Sequence, residues 1–120
     1  MTREFVILPE FEKQWKRMGL GDMELRQLQE MLLVNPKAGD PIQGTGGLRK
    51  LRIAFHGRGK SGSGRVAYID FTAFETIFLI TAYPKNEKEN LSGKERMEIA
   101  KIITILEQGF RNKEAGNERI

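Results

Sequence analysis

Apolar residues near the start of the chain predict a short strand followed by two helices. The segment Phe5 to Leu8 is continuously apolar and stops at Pro9, which favours a short strand. Two sets of apolar residues then recur at the three- and four-residue spacing of one helix face. They are Phe11, Trp15 and Met18 in the first set and Leu25, Leu28 and Leu32 in the second. Gly19 and Gly21 separate the sets, so the pattern predicts two helices joined by a tight connection.

The middle of the chain predicts three strands in close succession. Residues 36–47 are rich in Pro and Gly and show no periodicity, which indicates a loop. From Lys50 to Phe55 polar and apolar residues alternate, so the first strand has one apolar face and one largely basic face. The second strand is predicted at Arg65 to Phe71 and the third at Thr76 to Ala82. Because the third is apolar nearly throughout, we expect it to be buried on both faces.

The last part of the chain predicts one helix and completes the fold. Ser92-Gly93-Lys94-Glu95 has the form of a capping box and is followed by apolar residues at helical spacing as far as Phe110. The charged residues 112–120 are expected to form a frayed tail. The element order predicts an α+β fold. In it an antiparallel sheet, made of a short N-terminal strand and a three-strand meander, packs against two N-terminal helices and one C-terminal helix. The length of 120 residues corresponds to a single domain over residues 1–120.

Composition excludes several classes of site. The chain has no cysteine and a single histidine, His56, which excludes disulfides, thiolate metal sites, cysteine nucleophiles and multi-histidine metal sites. We therefore expect chemistry that uses neither a metal nor a cofactor. No apolar run approaches the length of about 20 residues that a membrane span needs, and none resembles a signal peptide. A cytoplasmic location without membrane association is expected.

Positive charge is concentrated in the middle of the chain. Twenty Lys and Arg against sixteen Asp and Glu give a formal net charge of +4. The window from Pro41 to Ile69 contains no acidic residue and six basic ones. They are Arg49, Lys50, Arg52, Arg58, Lys60 and Arg65. Such a window is typical of a protein that binds a polyanion, which makes nucleic acid the first candidate ligand. The alternative is a solvated basic face that binds nothing in particular.

The predicted meander brings part of this charge to one rim of the sheet. Because alternate ends of antiparallel strands meet, Phe55, Arg65 and Tyr83 are expected at the same rim, beneath the loop 56–64. If the chain stays extended after Ala82, one phenol and four cations converge there. They are Tyr83, Arg58, Lys60, Arg65 and Lys85. Such a set could bind a phosphodiester and stabilise charge on a pentavalent phosphate. The alternative is a glycine-rich hairpin tip that is merely basic.

Other motifs are weaker. Gly57-Arg58-Gly59-Lys60-Ser61-Gly62 matches a dinucleotide-binding pattern in letters, but a strand is predicted where that motif requires a helix. His56 at the rim is a candidate general base or RNA contact, with a structural role as the alternative. A triad of Ser61, His56 and Asp70 has no geometric support in the sequence. The carboxylates that follow the basic window, among them Asp70, Glu87 and Glu89, are interpreted as surface or turn residues.

Four stretches of the chain, taken in order, carry a resemblance to a known family. They are Gly44-Thr45-Gly46-Gly47-Leu48-Arg49-Lys50-Leu51-Arg52, Gly57-Arg58-Gly59-Lys60-Ser61-Gly62, Arg65-Val66 and Tyr83-Pro84-Lys85-Asn86-Glu87. From Phe5 to Phe110 the sequence resembles the RelE superfamily of bacterial toxins, specifically its HigB-like, phage-associated branch. The resemblance implies a RelE-like fold of the microbial-ribonuclease type. It also implies the toxin of a type II toxin–antitoxin pair, an endoribonuclease that cleaves messenger RNA during translation on the ribosome.

The resemblance also implies a reaction and a role for each site residue. The ribose 2′-OH would attack the adjacent phosphate without a metal, leaving a 2′,3′-cyclic phosphate and a free 5′-OH. Arg65 would clamp the scissile phosphate, and Lys60 with Arg58 would bind flanking phosphates. Lys85 would transfer a proton or neutralise charge, and Tyr83 would stack on the nucleotide or hydrogen-bond to it. Contacts to ribosomal RNA or to the mRNA backbone are implied for Arg49, Lys50 and Arg52. Pro84 stands where the family commonly has alanine, which removes a backbone donor beside Lys85.

The implied partner is a cognate antitoxin, typically a DNA-binding protein of the helix-turn-helix type, whose acidic segment could cover the basic rim. Three alternatives stay open from the sequence. The chain could be a nucleic-acid-binding module without catalysis, a ParE-like gyrase poison, or an interaction protein whose basic face binds an acidic partner.

Overall fold

The structure is a computed structural model that describes residues 2–55 and 63–118, with side chains described as far as residue 113. The described strands are β1 (Glu4–Ile7), β2 (Asp40–Pro41), β3 (Arg49–Ala54), β4 (Ser63–Phe71) and β5 (Thr76–Pro84). The helices are α1 (Pro9–Arg17), α2 (Asp22–Val34) and α3 (Gly93–Glu118). The predicted α+β class and the order of the main elements are confirmed. The expected frayed tail at residues 112–120 is helical as far as Glu118.

All five strands form one sheet in the order β1-β5-β4-β3-β2. Strands β3, β4 and β5 are the predicted antiparallel meander. The prediction of a wholly antiparallel sheet is wrong at β1, which pairs with β5 in parallel, Phe5 lying opposite Ile77. Parallel strands require a long crossover, and the chain between β1 and β5 supplies it. Strand β2 is two residues long, lies in the segment interpreted as a loop, and pairs with the start of β3.

The sheet separates two hydrophobic cores. Helices α1 and α2 pack on one face, where Phe11, Trp15 and Leu28 meet Val66, Tyr68, Ile77 and Leu79. Helix α3 packs on the other face, where Ile99 and Ile103 meet Ala67, Ile69, Phe78 and Ile80. Strand β5 contributes to both cores, which confirms that it is buried on both faces. No helix in the described ranges is long and apolar enough to cross a membrane.

One irregularity in the β4/β5 register decides which side chains share a face. Ala67 pairs with Thr81, whereas the next residue, Tyr68, pairs with Leu79, so β5 contains one extra residue at this point. An extra residue reverses the alternation of side chains beyond it. For this reason Tyr83 belongs to the core on the α3 face. Ile77 and Leu79, which are an even number of residues from Tyr83 and would share its face in a regular strand, belong to the core on the opposite face.

Candidate nucleic-acid interface

Arg65 and Tyr83 lie directly opposite each other on β4 and β5, at the end of the sheet where β4 begins. The register irregularity turns Tyr83 to the α3 face, and Arg65 shares that face because paired residues on adjacent strands point the same way. The sequence therefore predicted correctly that these two residues meet, but the bulge that brings it about has no signature in the hydrophobic pattern.

The guanidinium of Arg65 is buried and points to a carboxylate. Arg65 is 4% exposed. Its Nη2 donates a hydrogen bond of 2.6 Å to Oε1 of Glu89, and its Nη1 donates to the backbone oxygen of Gly64 at 3.1 Å. The buried Nε has no hydrogen-bond partner within the described part of the chain. Arg65 is thus a fixed cation whose outward nitrogen is already paired with an anion.

Tyr83 is covered as well. It is 2% exposed, and its hydroxyl has no hydrogen-bond partner among the described residues. Burial raises the pKa of this phenol to about 12, so the hydroxyl is protonated at neutral pH. The ammonium of Lys88 lies 5.1 Å from the centre of the ring. In this conformation a nucleotide base has no open ring face on which to stack, and the hydroxyl is buried as well, so both kinds of contact with a substrate require the covering residues to move.

Two further cations extend the site across β3. Arg52 lies opposite Arg65, and Lys50 lies opposite Ala67, so both side chains are on the α3 face. Arg52 is largely exposed, and its Nη2 is 4.0 Å from Oε1 of Glu89. The ammonium of Lys50 donates a hydrogen bond of 2.6 Å to the side-chain oxygen of Asn90. Lys50, Arg52 and Arg65 are called the cationic row below.

Arg49 is not part of this row. It lies opposite Tyr68, on the face covered by α1 and α2. Its Nη1 donates to the backbone oxygens of Gly39, at 2.7 Å, and Lys37, at 3.3 Å. The expected contact of Arg49 with RNA does not fit this placement, because the guanidinium holds the segment before β2 against β3.

Lys85 begins a turn and does not continue the strand. The backbone N–H of Glu87 donates to the carbonyl of Pro84 at 3.2 Å, which closes the turn, and the N–H of Lys85 donates to the carbonyl of Ser63 at 3.3 Å. The extended continuation that would align Lys85 with Tyr83 is therefore absent. Lys85 is exposed beside the start of β4. The other predicted rim residues, His56, Arg58 and Lys60, lie outside the described residues.

Sequence reasoning missed the segment that follows this turn. Glu87, Lys88, Glu89 and Asn90 each make a side-chain contact, and we call these four residues the strap. Glu87 accepts a hydrogen bond of 2.9 Å from Arg17, and Lys88 pairs with Glu95. Hydrogen bonding from Arg65 lowers the pKa of Glu89, which keeps it ionised at neutral pH. These carboxylates lie outside the basic window in sequence, and only their position directly after the strand that carries Tyr83 could have suggested a link.

The remaining carboxylate candidate, Asp70, is structural. The interpretation of Asp70 as a surface or turn residue is wrong, because its side chain is 3% exposed and pairs with Arg3 at 2.9 Å. It lies near the end of β4, whereas Arg65 lies near the start, so it does not face the cationic row. No cluster of three or more potential metal ligands occurs in residues 2–55 and 63–118.

Comparison with known proteins gives one family match and a structural match. A family model described as the RelE toxin of the RelE/RelB toxin–antitoxin system matches residues 8–114. Among solved structures, an arginine-to-alanine double mutant of the E. coli toxin RelE in the free state aligns with a TM-score of 0.53 and 16% sequence identity. The alignment covers 73% of this chain and 88% of that one, so the two share a fold.

Proposed function

Because the chain belongs to the RelE toxin family of toxin–antitoxin systems, we propose that it is an endoribonuclease that cleaves messenger RNA during translation on the ribosome. In the proposed reaction the ribose 2′-OH attacks the adjacent phosphate, and the products are a 2′,3′-cyclic phosphate and a free 5′-OH. The chemistry uses side chains alone. Assignment to the HigB-like branch is part of the same proposal and rests on the motifs quoted above.

The cationic row is the observation that carries the proposal. Its three positive charges lie side by side on one face of β3 and β4, with the buried guanidinium of Arg65 at the end where β4 begins. A guanidinium fork fits the geometry of a phosphate, and fixed positive charge stabilises the charge that develops on phosphorus during attack. Arg65 is therefore the proposed ligand of the scissile phosphate, with Arg52 and Lys50 along the RNA backbone.

The other roles follow from position. Lys85, exposed beside the start of β4, is proposed to transfer a proton or to neutralise charge. The Tyr83 hydroxyl is buried and has no partner among the described residues, and we propose that it donates a hydrogen bond to the substrate once the strap, whose Lys88 lies over the ring, has moved. Lys60 and Arg58 keep the contacts with flanking phosphates that the resemblance implies, and His56 keeps the RNA contact inferred from its predicted place at the rim.

The proposed partner is a cognate antitoxin, a DNA-binding protein of the helix-turn-helix type, which neutralises the toxin in the cytoplasm. Family membership supports an antitoxin. The exposed charge of Arg52 offers it an electrostatic target, because an acidic segment placed there would compete with RNA.

The test is tightly induced expression in a bacterial host, followed by mapping of new mRNA 5′ ends. We expect the wild-type protein to produce new 5′-OH ends inside translated reading frames. Arg65→Ala and Lys85→Ala should each lower their yield about 10²-fold or more, the usual effect of losing one transition-state contact. Lys101→Ala removes an exposed positive charge from α3 and should cleave as the wild type does.

Folding of Arg65→Ala must be verified, because the change leaves Glu89 without its partner. A wild-type circular dichroism spectrum and a cooperative thermal transition are the criteria. Growth arrest with intact mRNA would contradict cleavage and favour gyrase poisoning. Unaffected growth would leave only a nucleic-acid or protein binding role.

A further inference from the structure

The carboxylate of Glu89 sits on Arg65 where a phosphate would have to bind, and we propose that it is an internal stand-in for the substrate phosphate which RNA displaces. The inference rests on the proposed function, since it takes Arg65 as the phosphate ligand. It concerns the protein before RNA arrives, and it assigns a role to a residue outside the basic window.

The argument begins with access to Arg65. Its side chain is 5% exposed, whereas that of Glu89 is 51% exposed, so Glu89 lies on the solvent side of the guanidinium. The Gly64 carbonyl accepts a hydrogen bond from Nη1 of Arg65, and the Glu89 carboxylate accepts one from Nη2. Carboxylates and phosphates are both preferred partners of this fork, and two anions on one nitrogen repel each other. RNA can therefore reach Arg65 only when Glu89 moves away.

The strap is built so that it can move. It lies between β5 and α3, outside both elements. On either side of Glu89 the strap is held by ion pairs whose side chains are partly exposed. In the pair of Glu87 with Arg17 the side chains are 44% and 46% exposed, and in the pair of Lys88 with Glu95 they are 35% and 38% exposed. Such pairs contribute little to stability because water competes for both partners. Displacing the strap is therefore inexpensive compared with opening the core.

A second cation is within reach of the displaced carboxylate. Arg52 lies 4.0 Å from the same oxygen of Glu89 and is 77% exposed. When a phosphate takes Arg65, Glu89 can stay close to Arg52 without returning to bulk solvent. The stand-in also protects the resting site, because it compensates the charge of a guanidinium that would otherwise be buried unpaired.

The experiment measures binding of a short single-stranded RNA whose riboses are all 2′-O-methylated, so that no 2′-OH attack can occur. Wild type, Glu89→Gln and Glu4→Gln are titrated at one fixed salt concentration by fluorescence anisotropy. Both variants gain one unit of positive charge, but Glu4 is exposed and lies opposite Thr76, at the other end of the sheet. We expect Glu89→Gln to bind about ten-fold more tightly, whereas Glu4→Gln stays within about two-fold of the wild type.

A second variant separates the contact from the charge. Glu89→Asp keeps the charge but is one methylene shorter, so we expect it to bind RNA more tightly than the wild type and less tightly than Glu89→Gln. Equal binding by wild type and Glu89→Gln, including no measurable binding by either, overturns the inference. Loss of cleavage in Glu89→Gln with unchanged binding overturns it too, because Glu89 would then take part in the reaction.

Arg65→Lys distinguishes failure of the inference from failure of the proposed function. If Arg65→Lys weakens RNA binding while Glu89→Gln does not strengthen it, the phosphate role of Arg65 stands and the stand-in is wrong. If Arg65→Lys leaves binding and cleavage unchanged, the proposed site itself is wrong.

Discussion

The backbone N–H of Gly39 donates a hydrogen bond of 2.9 Å to the hydroxyl of Tyr68, which lies fully buried in the middle of the sheet. The same hydroxyl donates to the carbonyl of Pro36, also at 2.9 Å. A side chain at position 39 would not fit, because its Cβ would lie 2.9 Å from the carbonyl oxygen of Lys50. The phenol of Tyr68 therefore holds the segment after α2 against the sheet.

The two tyrosines of the chain should respond differently to loss of the hydroxyl. Tyr68→Phe leaves a buried N–H and a buried carbonyl without their partner, and we expect a loss of about 1–3 kcal/mol in the free energy of unfolding. Tyr83→Phe removes a hydroxyl that has no partner among the described residues, so its unfolding free energy should fall by less than about 0.5 kcal/mol. Urea unfolding of both variants measures this, and equal losses would contradict the structure.

Alkaline titration tests the burial of the phenols. Burial raises the pKa of both tyrosines from the ordinary value of 10.0, that of Tyr83 to about 12. The folded state therefore holds these protons more tightly than the unfolded chain, and stability should fall as the pH rises from 10 towards 12. While the protein stays folded, ultraviolet absorbance should show no phenolate transition centred at the ordinary pKa of 10.0, and the Tyr83 phenolate should form only near pH 12 or on unfolding. A transition centred at 10 with the fold intact would be inconsistent with burial.

Gly64, beside Arg65, should not tolerate a side chain. A Cβ there would lie 2.6 Å from the backbone oxygen of Tyr83, which cannot move without disturbing β4/β5 pairing. We expect Gly64→Ala to cost about 1–3 kcal/mol and to reduce RNA cleavage. Gly109→Ala is the matched control, because nothing lies within 4 Å of that Cβ and the position is inside α3. It should stabilise the protein by about 0.5–1 kcal/mol. If the two substitutions changed the free energy of unfolding by the same amount, the close contact between Gly64 and Tyr83 would be contradicted.

Asp70→Asn should separate stability from activity. The change weakens the ion pair with Arg3, whose side chain is 8% exposed, and should lower the melting temperature. Because Asp70 does not face the cationic row, RNA cleavage below the melting temperature should stay within about two-fold of wild type. A large loss of cleavage in a folded Asp70→Asn protein would instead indicate that Asp70 takes part in the reaction.

Hydrophobic periodicity predicted the helices and strands, which depend on residues close together in sequence. It did not predict features that depend on contacts between distant segments. The stripe of Phe11 and Trp15 and the alternation in β3 follow from local geometry, so these elements could be read from the sequence. Arg49 lies on the same side as Leu51, away from Lys50 and Arg52, although the sequence-based assignment grouped all three as RNA contacts. The bulge that turns Tyr83 to the α3 face leaves no signature in the hydrophobic pattern of either strand.

The candidate site was predicted in part for a similar reason. Arg65 and Tyr83 meet because strand ends in a meander must meet, a consequence of topology. The contact of Glu89 with Arg65 depends on the turn after Pro84, where the sequence predicted an extended chain. The turn brings Glu89 close to Arg52 and Arg65, which are distant from it in sequence, and local sequence patterns do not reveal such a contact.

The parallel pairing of β1 with β5 has a consequence for synthesis of the protein. The N-terminal strand leaves the ribosome first, yet Phe5 must wait for Ile77 before it can pair. Strands β3, β4 and β5 can pair in the order in which they are made, and β5 brings Tyr83 to Arg65 at its end. We therefore expect the nascent chain to close its sheet and to set Tyr83 against Arg65 at nearly the same moment. The proposed RNA-binding surface would thus be incomplete until β5 has been made.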